Sequence, residues 1–216
     1  ILSTDTVLSK AQSPYIVTSK LILLPKIILL IEAGVELRFE EDTALTCKGT
    51  LHVDGLAEDK VTFTSNNANA SPQDWQGVQI NGGSEATISH AIIRFAAIGV
   101  RAQEGTTPEL DSLDISQCDV GLKLEGTDTS ASLIDSTITE CGTGIFASWA
   151  AWSNAITVQD SEISQNGTGV QTTGSAKINL THCVIADNSV VGLDLDGNLV
   201  EHNLISGNKV GIQTSG

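Results

Sequence analysis

The stretch Leu133–Phe146, LIDSTITECGTGIF, is followed by Val158–Gln171, VQDSEISQNGTGVQ, and the two superimpose residue for residue. An aliphatic residue opens each (Leu133, Val158) and a small one stands three positions on (Ser136, Ser161). Ile138 and Ile163 come next, then Cys141 and Asn166, then the pairs Gly144-Ile145 and Gly169-Val170. Working outward, the glycine column runs through Gly99, Gly121, Gly144, Gly169, Gly192 and Gly211, at steps of 22, 23, 25, 23 and 19 residues. Val100, Leu122, Ile145, Val170, Leu193 and Ile212 follow these glycines. Ile93, Ile115, Ile138, Ile163 and Ile205 precede them at one fixed spacing, with Ile185 one further away in a repeat that has an extra residue. Eleven before the glycine stand Ile88, Leu110, Leu133, Val158 and Val200, with Leu180 in the offset repeat. Short apolar–polar alternations broken by turn residues read as strands. So many Gly and β-branched residues would weaken a helix. A period of this length is one coil of three short strands, and coils stack at ~4.8 Å.

Three positions before the glycine the column reads Ala96, Cys118, Cys141, Asn166 and Asn208, with Asn188 in the offset repeat. Small polar residues recurring there predict an inward ladder at a turn, each amide bonding its neighbour one coil along. Cys118 and Cys141 fall on adjacent coils, with Cα atoms near the ~4.8 Å spacing that a disulfide can span. Side chains stacked in a parallel ladder point the same way, which is poor geometry for a bridge. Buried free thiols acting as small apolar fillers are the expectation.

These repeats resemble the right-handed parallel β-helix of the pectate-lyase-like superfamily. The first part of the chain resembles the opening coils of secreted members: Ser13-Pro14-Tyr15-Ile16-Val17, then Ile31 to Phe39 (IEAGVELRF), Lys48-Gly49-Thr50-Leu51, Val61 to Ser65 (VTFTS) and Asp74-Trp75-Gln76-Gly77-Val78. The resemblance spans nearly the whole chain. It implies an all-β solenoid of roughly nine coils forming one domain over residues 1–216, with N-terminal coils to residue 85 and regular repeats from 86 onward. It says little about activity, since enzymes, adhesins and carbohydrate-surface proteins share the fold. The eliminating enzymes of the superfamily use Arg or Lys with Ca²⁺, and this chain offers only Arg38, Arg94 and Arg101, with no RxPxxR-like pattern. The hydrolase motifs of the same fold are missing too, so no catalytic residue carries over.

Composition narrows the partners. Lys and Arg number 11 against 26 Asp and Glu, a net charge of -15, which argues against nucleic acid or an anionic membrane. The most apolar run, Leu21 to Ile31, contains Pro25 and Lys26 and is too short to cross a bilayer. The cysteines show no zinc spacing. Sequons at Asn69, Asn166 and Asn179 matter only in a eukaryotic secretory pathway.

Candidate functional residues fall into three groups. Asn66–Gln73 is the clearest loop, and the excursion Ser148–Asn154 carries Trp149 and Trp152. With Phe146 these offer apolar plates for a sugar ring, or else anchor the loop. Asp114, Asp135, Asp160 and Glu162 read as outward residues of one flat patch, with His182 and His202 beside them. They suit a solvated face, Ca²⁺ ligation or paired carboxylate catalysis, the first being preferred. Asp194, Asp196 and Asn198 suggest a calcium loop but lack its closing Glu. Ser161, His182 and Asp160 form a triad on paper only. Ile22, Ile28 and Leu30 read as an outward apolar patch for association. The last coil, ending without a polar terminal repeat, is expected to meet further polypeptide or a second subunit. The functional expectation is an extracellular or cell-surface module that binds carbohydrate or another surface polymer without catalysis. A polysaccharide lyase or hydrolase with an unfamiliar acidic site and a structural spacer or filament subunit are the alternatives.

Overall fold

In the computed structural model, residues 1–149, 155–195 and 199–214 are described, with backbone alone for Trp149, Ala155 and Leu199. The chain winds into a right-handed solenoid. Its strands form three parallel sheets of nine strands each among the described residues. Every coil visits a first sheet (Thr6–Leu8 in coil 1, Leu199–Glu201 in coil 9), a second (Tyr15–Val17 to Leu204–Ser206) and a third (Leu21–Leu23 to Val210–Gln213). Among the described residues, no helix is long and apolar enough to cross a membrane.

The sequence columns are columns in space. Ile88, Leu110, Leu133, Val158, Leu180 and Val200 pair in succession on the first sheet. Ile93, Ile115, Ile138, Ile163, Ile185 and Ile205 do so on the second, so the extra residue of the eighth coil does not shift register. Val100, Leu122, Ile145, Val170, Leu193 and Ile212 complete the third. Almost all are fully buried, giving a thin aliphatic core that runs the length of the molecule.

Two sharp corners shape each regular coil, and each is a single left-handed residue. Between first and second sheets these are His90, Ser112, Asp135, Asp160, His182 and His202, with φ between 47° and 55°. Between second and third they are Phe95, Gln117, Glu140, Gln165, Asp187 and Gly207, with φ between 54° and 65°. Left-handed backbone is costly for residues with a Cβ, at about 1–2 kcal/mol each, and short polar side chains bear it best. Bonds between coils offset that cost. The N–H groups of His90, Ser112, Asp135 and Asp160 donate to the carbonyls of Asp111, Ile134, Gln159 and Thr181 on the following coil.

The residue after each corner is buried in most coils, and from coil 6 onward Ser and Asn at these positions build ladders. At the second corner the Asn166 Oδ1 accepts from the Cys141 N–H, the Asn188 Oδ1 from the Asn166 N–H and the Asn208 Oδ1 from the Asn188 N–H, each at 2.9 Å. The Asn166, Asn188 and Asn208 Nδ2 groups donate to the carbonyls of Ile138, Ile163 and Ile185. Within this ladder, side-chain amide-to-amide bonding, expected throughout, occurs among the described residues between Asn188 and Asn208 alone, at 2.8 Å. Peptide groups left unpaired by the corner take the other valences. A second ladder at the first corner uses Ser136, Ser161 and Asn203, whose side chains accept from the N–H groups of Leu113, Ser136 and Cys183.

The glycine column has a steric cause. A Cβ built on Gly144 would lie 2.5 Å from the carbonyl oxygen of Gly169 on the next coil, inside any tolerable contact. The first three coils do not repeat this corner from one coil to the next, although coil 2 turns through the left-handed Gly34 and Asp42, and they fill their interior with rings. Phe39 lies 4.0 Å from Trp75 and 6.5 Å from Phe63, centroid to centroid, and all three are fully buried. The Trp75 Nε1–H donates to the Arg94 carbonyl at 2.8 Å.

One expectation about the N-terminal coils is corrected. Ile22 lies on the third sheet, whereas Ile28 and Leu30 lie on the first, with the turn through Pro25 and Lys26 between them. They do not share a face. The neighbour that completes the Ile28–Leu30 patch is Val7, paired with Leu30 across coils 1 and 2 and 54% exposed.

Candidate functional site

The outward residues of the third sheet form a site that follows directly from the repeat. The residue after each Gly-aliphatic pair must point out, because strand side chains alternate. Thr46, Gln79, Arg101, Lys123, Phe146, Gln171 and Asp194 therefore stand in one line on seven successive paired strands. Beside them runs a second line containing Asn81, Gln103, Glu125, Ser148 and Thr173. The result is a strip of amides, hydroxyls and charged groups (Arg101, Lys123, Glu125, Asp194) with the Phe146 ring set among them.

Phe146 is half-buried, so one part of its ring faces solvent. The Lys123 ammonium sits 5.6 Å from the ring centroid, within the range of a cation–π contact. Glu125 accepts from both the Arg101 guanidinium and the Lys123 ammonium. Partial burial pushes its carboxyl up, but the bonds and charges of those two cations outweigh it, and the Glu125 pKa lies below the ordinary Glu value. Gln103 Nε2 donates to Asn81 Oδ1 at 2.9 Å, and Gln171 Nε2 to Asp194 Oδ2 at 3.1 Å. These links tie side chains of neighbouring coils to one another along the strip.

The expected sugar plates divide unevenly. Phe146 stands on the strip. Trp149 ends the same strand, Thr143–Trp149, with its backbone paired to Gly174. Trp152 lies outside the described residues.

The four acidic residues do not form one patch. Asp135 and Asp160 are left-handed corner residues, while Asp114 and Glu162 begin strands of the second sheet beyond that corner. The alternation rule fails there because the chain turns between the two sets. Asp114 and Glu162 are themselves separated by Thr137, and the Asp114 Oδ2 accepts from the Lys60 ammonium at 2.7 Å. Asp160 stands 3.7 Å from His182, whose ring packs 5.6 Å from that of His202. Among the described residues, no group of three or more His, Cys, Asp or Glu is placed to hold a metal ion. Asp196 and Asn198 lie outside the described residues. The paper triad is not assembled: Ser161 is 4% exposed and its Oγ donates inward to the Gln159 carbonyl.

All four cysteines are buried free thiols. The hydrogen bond with the neighbouring Cys141 thiol, and burial after it, push the Cys118 pKa up. The pair serves as filler in the ladder column.

Two features escaped the sequence reading. One is the strip itself, signalled by the residue two after each column glycine. The other is a pair of shallow hollows on the first sheet that share Thr107 and Glu109. One, of about 260 Å³, is lined by His52, Glu85 and Thr87 as well, and the other, of about 280 Å³, by Ser132 and Thr157. Their floor residues are spaced by the same coil repeat, but their walls come from irregular connections that no periodicity announces.

A comparison with curated proteins gives no significant match. A comparison with protein families matches residues 76–216 to the family described as right handed beta helix region. The match begins at Gln76, next to the last ring of the aromatic stack, and takes in coils 4 to 9, whose left-handed corners recur in two columns. On that match and on the coil geometry, the chain belongs to the right-handed β-helix family.

Proposed function

We propose that this chain is an extracellular or cell-surface module that binds an extended carbohydrate, or another hydroxyl-rich surface polymer, along the outer strip of the third sheet. The observation that carries the reading is Phe146, a partly exposed ring that stands in one line with the amides of Gln79 and Gln171 and the charged side chains of Arg101 and Lys123. An aromatic plate stacks on the apolar face of a sugar ring, and planar amides both donate to and accept from its hydroxyls. The line crosses paired strands at ~4.8 Å intervals, so successive side chains meet successive parts of a long ligand. A flat, open strip suits lateral contact with a polymer better than enclosure of one reacting bond, which favours binding over catalysis. The surface location rests on the resemblance to secreted members of the superfamily.

The test is a panel of soluble and insoluble glycans, read by affinity electrophoresis and pull-down. Phe146→Ala is expected to weaken binding at least tenfold with an unchanged melting temperature. No retention by any polymer, or retention indifferent to Phe146→Ala and Gln171→Ala, would remove the reading.

A further inference from the structure

The charges around Phe146 cancel one another. Arg101 and Lys123 hold adjacent places in the first line, and Lys123 pairs next with Phe146. Glu125 and Asp194 balance these two cations. Lys48 and Glu104, which directly follow the strands Leu45–Cys47 and Ile98–Gln103, add one charge of each sign. The net charge of -15 therefore belongs to the rest of the molecule. Glu125 holds both cations of the strip at once. Its Oε1 accepts from the Arg101 Nε–H at 2.7 Å and its Oε2 from the Lys123 ammonium at 2.9 Å. The Arg101, Lys123 and Glu125 side chains are 34%, 24% and 22% exposed, so the three lie packed against the sheet and one another. Bonds between ionised groups are the strong ones. A ligand carboxylate arriving beside Phe146 would have to displace Glu125, and against the field of a strongly acidic chain. The amides point to the same chemistry. Gln103 and Gln171 each use one N–H on a neighbour, Asn81 and Asp194, and keep an oxygen to accept and a second N–H to donate. A hydroxyl answers both, whereas a carboxylate only accepts.

Resting on the binding reading above, we propose that the strip takes uncharged glycans and rejects uronates, and that Glu125 is the residue that determines this specificity. Glu125 acts as a built-in counter-ion, filling the place that a ligand carboxylate would take on Arg101 and Lys123. Specificity is a difference of affinities, and an unfavourable contact with the wrong ligand serves it as well as a favourable one with the right ligand. Without the Glu125 charge, two cations one coil apart would stand beside an aromatic plate, an arrangement that suits a uronate.

The experiment measures binding of neutral polysaccharides, of alginate and of polygalacturonate to the parent chain, Glu125→Gln and Glu32→Gln. Glu32 is exposed on the first sheet, so its substitution changes the net charge equally without touching the strip. The parent is expected to hold a neutral polymer more tightly than either polyuronate, with an affinity indifferent to salt. Glu125→Gln is expected to shift the ratio of polyuronate to neutral affinity about tenfold or more toward polyuronate. Adding Lys123→Gln to that variant should reverse the shift, and Glu32→Gln should not produce it. A parent that prefers polyuronate, an unshifted ratio in Glu125→Gln, or an equal shift in Glu32→Gln would overturn the proposal and leave the binding reading in place. Retention of no polymer by any of these chains would remove the binding reading itself, and this proposal with it.

Discussion

Coils 1 to 3 and coils 4 to 9 solve the same problem with different chemistry. Both must fill a narrow core and turn the chain twice per coil. The early coils stack Phe39, Phe63 and Trp75 and turn through longer, irregular connections. The later coils turn on one left-handed residue per corner, and from coil 6 onward Ser and Asn side chains next to the corner bond the peptide groups that it leaves unpaired. Rings supply burial without repetition, whereas ladders work only when the neighbouring coil carries a matching group. The ladder region is therefore the periodic one, and the family match starts where the rings stop.

The difference can be broken from either side. Trp75→Ala removes the largest buried side chain of the early coils and should cost about 4 kcal/mol, with the loss of protection centred on residues 37–80. Asn166→Leu leaves the Cys141 N–H without its side-chain partner and takes a donor from the Ile138 carbonyl, and should cost about 3 kcal/mol, at roughly 1–3 kcal/mol for a buried group left unsatisfied. Chemical denaturation reads both totals, and hydrogen exchange shows whether each loss stays in its own region. If Trp75→Ala loosened coils 6 to 8 as much as coils 2 and 3, the contrast between the two regions would be false.

The periodic region was legible in the sequence because its constraints recur. Gly144 and Gly169 repeat for a steric reason, Asn166 and Asn188 for a bonding reason, and Ile138 and Ile163 for burial. What periodicity alone does not give is the direction of a residue where the backbone leaves the strand. Asp135 and Asp160 were assigned to a flat face by counting in twos, and the left-handed corner moves them off it. Ile22 was joined to Ile28 and Leu30 in the same way, across a turn that carries it to another sheet. The face around Phe146 was only partly visible, because its Gln, Arg and Lys neighbours share a position but not a residue type.

A smaller effect sharpens the ladder account. Cys141 occupies a ladder position without an amide, so Cys141→Asn should extend the ladder by one coil and stabilise the chain by about 1 kcal/mol. Destabilisation by that substitution would show that the thiol column is required for packing.

The smallest expected effect is electrostatic. The Glu125 pKa lies below its ordinary value, so its ion pairs contribute stability that is complete above the ordinary carboxylate range. That contribution is lost as pH falls through the lowered pKa. Thermal melts of the parent chain and Glu125→Gln should differ at neutral pH and converge on acidification. A constant gap across the titration would contradict the assigned pairing.

The most direct test of the functional account is a footprint of the bound polymer. With the best ligand of the glycan panel at saturation, hydrogen exchange or amide chemical shifts would be mapped along the three sheets. The account predicts changes confined to the third sheet, strongest at Lys123, Phe146 and Gln171 and fading toward Thr46. Changes centred instead on His52, Thr87, Glu109 and Thr157 of the first sheet would contradict it.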